Sequence, residues 1–157
     1  MIRERLVDGH PVWYSSTGDS MWPLVQSGDF CTFHPIQAVT ASDSEFSIQK
    51  GPSDIGVGDV VFCQVHPTQQ YYAHIVLGFR GSIDQPEYRI GNLEGYVNGT
   101  CYRENIFGIL VNVQQPFLFN KTYHSRPHPK AIYEKVSRLI ERDRWSYEAH
   151  NLCAPSE

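Results

Sequence analysis

The chain has 157 residues, of which 41% are hydrophobic and 13% aromatic, and its formal net charge is −4 at pH 7. This apolar content is sufficient for a packed core, which excludes an intrinsically disordered chain. The negative charge and the lack of a Lys/Arg block argue against nucleic-acid binding through a basic patch. No apolar run approaches about 18 residues, so neither a signal peptide nor a membrane span is expected.

The first 116 residues predict a mainly β domain built from short strands. Alternating apolar residues bounded by glycine and proline turns are typical of such strands. Residues 59–65 and 71–79 flank a short turn and predict a hairpin. Residues 37–59 read as a long excursion with at most a short strand near 46–48, and residues 92–99 read as a loop. The predicted strands cover residues 11–16, 30–35, 59–65, 71–79, 88–90 and 107–113.

The residue pattern of the chain changes over residues 117–157, which we treat as a second unit. Residues 117–129 are extended, aromatic and interrupted by prolines. Residues 130–150 predict a helix, because apolar side chains recur there at spacings of three and four. This helix either packs its apolar stripe on the sheet or docks onto a partner or a second copy, and the sequence leaves both readings open.

The cysteines and histidines do not form a metal-binding pattern. The four cysteines are widely spaced without a CxxC pair, which excludes a zinc ribbon. The histidines outside the predicted hairpin are scattered through loops and the C-terminal unit, so no metal site and no cofactor are expected. Four reduced thiols in a reducing compartment are favoured over two disulfides.

The stretch over residues 17–29, TGDSMWPLVQSGD, contains a candidate nucleophile. Gly18 and Gly28 permit tight turns on either side of Ser20, and Pro23 restricts the backbone after it. Ser20 is therefore expected on a constrained loop. A serine becomes a nucleophile only with a base in hydrogen-bond reach and with donors for the developing oxyanion.

This stretch resembles the nucleophile box of type I signal peptidases and of self-cleaving SOS-response repressors, which reads Ser-Met-x-Pro followed by Gly-Asp. Four later segments are similar to the family in the same order. They are VGDVVFCQ at 57–64, AHIVLG at 73–78, RIGNLEGYVNG at 89–99 and ENIFGILVNV at 104–113. The resemblance implies the coiled, barrel-like β fold of signal peptidases, here followed by a C-terminal helix.

The resemblance also implies the catalytic residues. His74 stands where the bacterial enzymes have a lysine base, as in the endoplasmic-reticulum and archaeal branch, and would accept the Ser20 proton. The aspartates of that branch correspond to Asn92 and Asn98. An asparagine can accept the imidazole N–H but cannot stabilise the imidazolium by charge. Glu94 is the nearby acid that could substitute.

The remaining parts of the site are expected around the nucleophile loop. Backbone N–H groups near Ser20 would form the oxyanion hole, helped by the hydroxyl of Ser16 or Thr17. The residues directly after the nucleophile are expected to contact substrate, namely Met21, Trp22 and Pro23.

Two functions follow from these observations. The first is a soluble serine endopeptidase with a Ser-His dyad, acting without a cofactor on an extended peptide or protein substrate. The second is a non-catalytic binding or assembly protein on the same fold, such as a component of a viral particle. The asparagines at the acid positions, the missing membrane anchor and the added C-terminal unit favour the second, but we favour the first. Either protein is expected in the cytoplasm or within a viral particle, with oligomerisation through the C-terminal helix as an option.

Overall fold

The computed structural model describes residues 1–18, 20–21, 24–36, 49–50, 55–81 and 84–114, together with helical positions 134–135 and 137–139. The fold is mainly β, as the sequence predicts. A short helix, α1, spans Ile2–Val7. The strands within the described residues are β1 (Val12–Ser15), β2 (Phe30–Pro35), β3 (Gln49–Lys50), β4 (Gly56–Val57), β5 (Val60–Gln64), β6 (Tyr71–Gly81), β7 (Pro86–Gly91), β8 (Val97–Tyr102) and β9 (Ile106–Gln114).

Seven strands form one antiparallel sheet in the order β1-β2-β9-β5-β6-β7-β8. The sheet curls into a half-barrel. The two remaining strands, β3 and β4, pair with each other. Strands β5 and β6 form the predicted hairpin, in which Val61 lies opposite His74. Strands β9 and β5 lie between β2 and β6, so the contact between Ser20 and His74 crosses the curl of the sheet and does not come from neighbouring strands.

The core lies inside the curl of the sheet and is covered at one end by α1. Strand β2 shows the expected alternation, with Cys31 and Phe33 buried. Leu6 of α1 is fully buried against β9. A Cβ at Gly108 would lie 2.9 Å from Leu6 Cδ1, so the glycine allows the helix to approach the sheet closely.

Several elements differ from the sequence prediction. Strands β3 and β4 pair within residues 37–59, where we predicted an excursion with at most a short strand near 46–48. Residues 97–102 form strand β8, although we predicted a loop through residue 99. The sequence VNGTCY has weak strand propensity at Asn98 and Gly99, and pairing with β7 overrides it. Helix α1 was not predicted, because its six residues are too few for an apolar period to stand out.

The C-terminal helix is described at only five positions. Glu134, Lys135, Ser137, Arg138 and Leu139 are helical there. Leu139 packs against the core, and its Cδ2 atom would lie 3.4 Å from a Cβ at Gly95. The rest of the predicted helix, the aromatic segment before it and the predicted short strand at 46–48 lie outside the described residues.

Three of the four cysteines fall in the described part of the chain. Cys31, Cys63 and Cys101 are buried and lie outside disulfides. Cys153 lies outside that part. None of the helices described is long and apolar enough to cross a membrane.

Candidate active site

The structure brings Ser20 and His74 into hydrogen-bond contact across 54 residues of sequence. Ser20 Oγ lies 3.1 Å from His74 Nε2. Ser20 is exposed, whereas His74 is half-buried on β6. A serine hydroxyl at this distance from an imidazole nitrogen is in reach of a general base.

Asn98 completes a chain of three side chains by contacting the other nitrogen of the same imidazole. Its Oδ1 atom lies 2.6 Å from His74 Nδ1. Because an amide oxygen only accepts hydrogen bonds, Nδ1 carries the proton and donates it to Asn98. The Nε2 lone pair then faces Ser20, which is the tautomer that a general base requires.

A β-bulge directs Asn98 toward His74. In the β7–β8 pair, Ile90 is opposite Gly99 and Gly91 is opposite Val97, so Asn98 is the extra residue on β8. Bulges of this kind re-aim a side chain beside a functional site. The residue after the bulge must be glycine here, since a Cβ at Gly99 would lie 2.3 Å from the His66 carbonyl oxygen.

Backbone hydrogen bonds fix both ends of the nucleophile loop. Ser16 N–H donates to the Asp29 carbonyl over 2.8 Å, and Gly28 N–H donates to the Ser16 carbonyl over 2.7 Å. Gly28 adopts a φ of +91°, which favours glycine. The Asp29 side chain is buried and accepts from Gln26 N–H. The Gly-Asp pair after the serine therefore closes the loop that presents Ser20.

The second Gly-Asp pair fixes the strand that carries the base. Gly58 N–H donates to the Val76 carbonyl, and Val76 N–H donates to the Asp59 carbonyl, each over 2.8 Å. The buried Asp59 carboxylate accepts Gly56 N–H over 2.7 Å. This turn holds β6 two residues beyond His74. The motif is thus structural and contributes to the site by positioning the imidazole.

Of the two asparagines that the resemblance assigns to the site, Asn98 contacts the imidazole and the Asn92 side chain does not. The Asn92 Oδ1 atom accepts the N–H groups of Glu94 and Tyr96 over 2.9 and 3.0 Å. Both bonds stay within the turn between β7 and β8, so the side chain organises that turn. The turn in return supports the nucleophile, because Leu93 N–H donates to the Ser20 carbonyl over 3.1 Å.

No carboxylate replaces the missing aspartate within the described residues. Glu94 is exposed on the turn, and the side chains hydrogen-bonded to His74 there are Ser20 and Asn98. Burial lowers the pKa of His74 below its ordinary value, and the bond to Asn98 offsets part of this effect. The imidazole is therefore neutral near pH 7, the form that can accept a proton.

The dyad opens into a groove of about 280 Å³. Ser16 and Thr17, the predicted oxyanion hydroxyls, line it together with Ser20. Met21 also lines it, although the side chain is largely buried in the core. Trp22 and Pro23 lie outside the described residues, so their predicted substrate contacts stay predictions.

The sequence analysis missed Tyr72, which stacks on the His74 imidazole with the ring centroids 5.0 Å apart. Strand alternation predicts that Tyr72 and His74 are neighbours, because residues i and i+2 of a strand share one face.

No family model, curated protein or solved structure matches the chain. Its own geometry therefore carries the functional argument.

Proposed function

We propose that the protein is a serine endopeptidase of the signal peptidase type, with Ser20 as nucleophile and His74 as general base. The observation that carries this proposal is the continuous contact from Ser20 Oγ through the imidazole to Asn98 Oδ1, at 3.1 and 2.6 Å. A nucleophile, a base and an orienting group in hydrogen-bond series are the recurring parts of serine hydrolases.

The reaction follows from these contacts. As Ser20 Oγ attacks the peptide carbonyl carbon, its proton passes to His74 Nε2. The tetrahedral intermediate collapses when the imidazolium returns that proton to the leaving amine, which breaks the C–N bond and leaves an acyl-serine. Water then attacks the ester with His74 again as base, releasing the acid and regenerating Ser20.

Asn98 supplies orientation without charge in this scheme. By accepting the Nδ1 proton it fixes the tautomer and the ring position. It does not neutralise the imidazolium, whereas an aspartate would. Replacing the triad aspartate by asparagine costs a serine protease about 10⁴ in turnover, and a wrong tautomer contributes to that loss. Since the tautomer is correct here, only the charge-dependent part of that cost applies.

An extended peptide suits the groove. The lining residues in the described part of the chain are apolar or hydroxyl-bearing apart from His74, with no Asp, Glu, Lys or Arg among them. A peptide segment without charged side chains therefore enters without leaving a charge unpaired. Ser16 and Thr17 line the groove together with Ser20, and their hydroxyls would assist backbone N–H groups as oxyanion donors.

The second candidate function is a non-catalytic binding or assembly protein, in the cytoplasm or within a viral particle. The observation that favours it is the amide at position 98 in place of a carboxylate. In this case the groove binds an extended segment of a partner, and the Ser20–His74 contact is what is left of a former active site. Fold and contact geometry are compatible with either function, so chemistry decides between them.

Peptide turnover tests the proposal. Wild type is compared with Ser20→Ala, His74→Gln and Ser15→Ala on a library of neutral extended peptides, with cleavage followed by mass spectrometry. Ser15 lines the same groove and has no role in the proposed reaction. We expect cleavage by wild type and Ser15→Ala, and its loss in the other two variants. Turnover by wild type equal to that of Ser20→Ala would reject the peptidase and leave the binding protein.

A further inference from the structure

We propose that Tyr72 takes over part of the role of the missing carboxylate, because its ring face holds the His74 imidazole and stabilises the imidazolium that forms when Ser20 attacks. The expected effect of Tyr72 on turnover rests on the proposed function. The expected effect of Tyr72 on the pKa of His74 does not. Tyr72 is thus a positioning residue that acts through His74.

The two rings have the geometry of a stacked pair. Their centroids are 5.0 Å apart and their planes differ by 26°. A cation within about 6 Å of an aromatic centroid, over the ring face, is attracted by the negative face of the ring. A neutral imidazole stacks in the same place without that attraction, so the contact strengthens when His74 is protonated. Such differential stabilisation is what accelerates a chemical step.

The backbone places Tyr72 beside His74 without strain. The two residues are i and i+2 on β6 and therefore point to the same face of the sheet. They lie opposite Cys63 and Val61 of β5, in unbroken antiparallel register. Both side chains are half-buried and line the groove. The imidazole is consequently held at Nε2 by Ser20, at Nδ1 by Asn98 and on its face by Tyr72.

No fixed charge in the described surroundings of His74 competes with this interaction. The elements around it contribute Val61 from β5, Asn98 from β8 and Ser20 from the nucleophile loop. Asp19 lies outside the described residues. The other titratable groups that line the groove in the described part are Tyr14, Tyr71 and Cys31.

Tyr14 carries no charge near neutral pH, because burial raises its pKa to about 12. Cys31 is buried and lies outside any disulfide. No Asp, Glu, Lys or Arg side chain lines the described groove, so protonation of His74 is favoured there by neutral groups, namely the Asn98 amide oxygen at Nδ1 and the ring face of Tyr72.

The expected size of the effect of Tyr72 on the pKa of His74 follows from the energies of cation–π contacts. A cation–π contact at a half-buried site corresponds to about half to one unit in the pKa of the cation. The same interaction, realised in the transition state, corresponds to about a 3- to 10-fold change in turnover. This is well below the loss of about 10⁴ seen when a triad aspartate becomes asparagine. Tyr72 therefore compensates for the missing charge only in part.

The test measures the pKa of His74 by NMR in the whole chain, with the resonance assigned from a His74→Gln spectrum. Tyr72→Phe keeps the ring face and should leave the pKa unchanged. Tyr72→Leu keeps an apolar cover but removes the ring, and should lower the pKa by about half to one unit. An unchanged or raised pKa of His74 in the Tyr72→Leu variant would overturn the proposal. That result is expected if the Tyr72 ring only buries the imidazole.

A second variant keeps the proposal testable if Tyr72→Leu does not fold. Incorporation of pentafluorophenylalanine at position 72 keeps the shape of the ring and reverses the sign of its face. We expect a pKa below that of Tyr72→Phe. Equal pKa values for the two ring variants would overturn the proposal even if Tyr72→Leu does not fold.

Turnover separates this inference from the proposed function. If peptides are cleaved, Tyr72→Leu should lower kcat by about 3- to 10-fold relative to Tyr72→Phe. A measurable turnover that is equal in the two variants would overturn the catalytic part of the inference. If no peptide is cleaved but the pKa falls in Tyr72→Leu, stabilisation of the imidazolium by Tyr72 stands and the peptidase proposal fails.

Discussion

His74 donates its Nδ1 proton to the amide oxygen of Asn98 over 2.6 Å, at the position where a carboxylate would add a negative charge. The contact sets the tautomer and leaves the imidazolium without a formal counter-charge. The contact therefore holds the imidazole in the orientation that a general base needs and adds no negative charge beside it.

Asn98→Asp should raise peptide turnover, because the carboxylate stabilises the imidazolium that exists only near the transition state. We expect a gain of at least about tenfold in kcat with little change in KM, and less than the full ~10⁴ attributed to a triad aspartate. Steady-state kinetics measure it.

Asn92→Asp is the matched control for that change. A carboxylate oxygen can still accept the N–H groups of Glu94 and Tyr96, so the turn should persist and kcat should not rise. A gain in Asn92→Asp, or none in Asn98→Asp with turnover still measurable, would contradict the assignment of Asn98 as the imidazole partner.

The pH dependence of kcat/KM should report the burial of His74. Its pKa is lowered from 6.5, chiefly by burial. The imidazole must be neutral to accept the serine proton, so kcat/KM should fall on acidification with a midpoint below the ordinary histidine value. Asn98→Asp should move this midpoint upward. A wild-type midpoint above that of a solvent-exposed histidine would contradict this reading.

The lowered pKa of His74 also predicts that folding stability depends on pH, and this prediction can be tested without an activity assay. The pKa of His74 is lower in the folded chain than in the unfolded chain, so the unfolded chain binds more protons between the two values. The stabilisation is present above about pH 6.5 and is lost as the pH falls through the folded pKa. Urea midpoints of wild type and His74→Gln should diverge across this window, and parallel curves would contradict the shift.

Gly99→Ala should disrupt the bulge that aims Asn98. A Cβ there would meet the His66 carbonyl oxygen at 2.3 Å and Val65 Cβ at 3.0 Å, in the segment directly after β5. We expect a loss of about 1–3 kcal/mol in the free energy of unfolding, as for an overpacked core, and a fall in turnover.

Gly9→Ala is the control for Gly99→Ala. Gly9 has a φ of +89° with no atom within 4 Å of its Cβ position, so only backbone strain applies and turnover should persist. Chemical denaturation gives both unfolding free energies. A Gly99→Ala variant as stable and as active as wild type would contradict the role of the bulge.

The sequence predicts the fold where its patterns are strong. The alternation in β2 and the turn between β5 and β6 were enough to place those strands. Strand β8 escaped prediction because Asn98 and Gly99 are poor strand formers, and only pairing with β7 makes them extended. The bulge that aims Asn98 depends on the register between two strands, which a single sequence does not encode locally.

The candidate site was predictable at Ser20 and His74 because each lies in a segment that resembles the signal peptidase family. The choice between Asn92 and Asn98 was not predictable, since both stand in one short segment and their roles differ by which backbone groups surround them. Tyr72 was predictable in principle from strand alternation, yet its ring contact with His74 requires the side-chain rotamers.

The measurement that tests the central claim most directly is covalent labelling with a fluorophosphonate, followed by peptide mapping, of wild type, Ser20→Ala, Ser16→Ala and His74→Gln. Ser16 lines the same groove and controls for labelling of any nearby hydroxyl. We predict a single adduct on Ser20 in wild type and Ser16→Ala, none in Ser20→Ala, and a much slower reaction in His74→Gln. Wild type that stays unlabelled, or that reacts equally fast without His74, would contradict an activated Ser20.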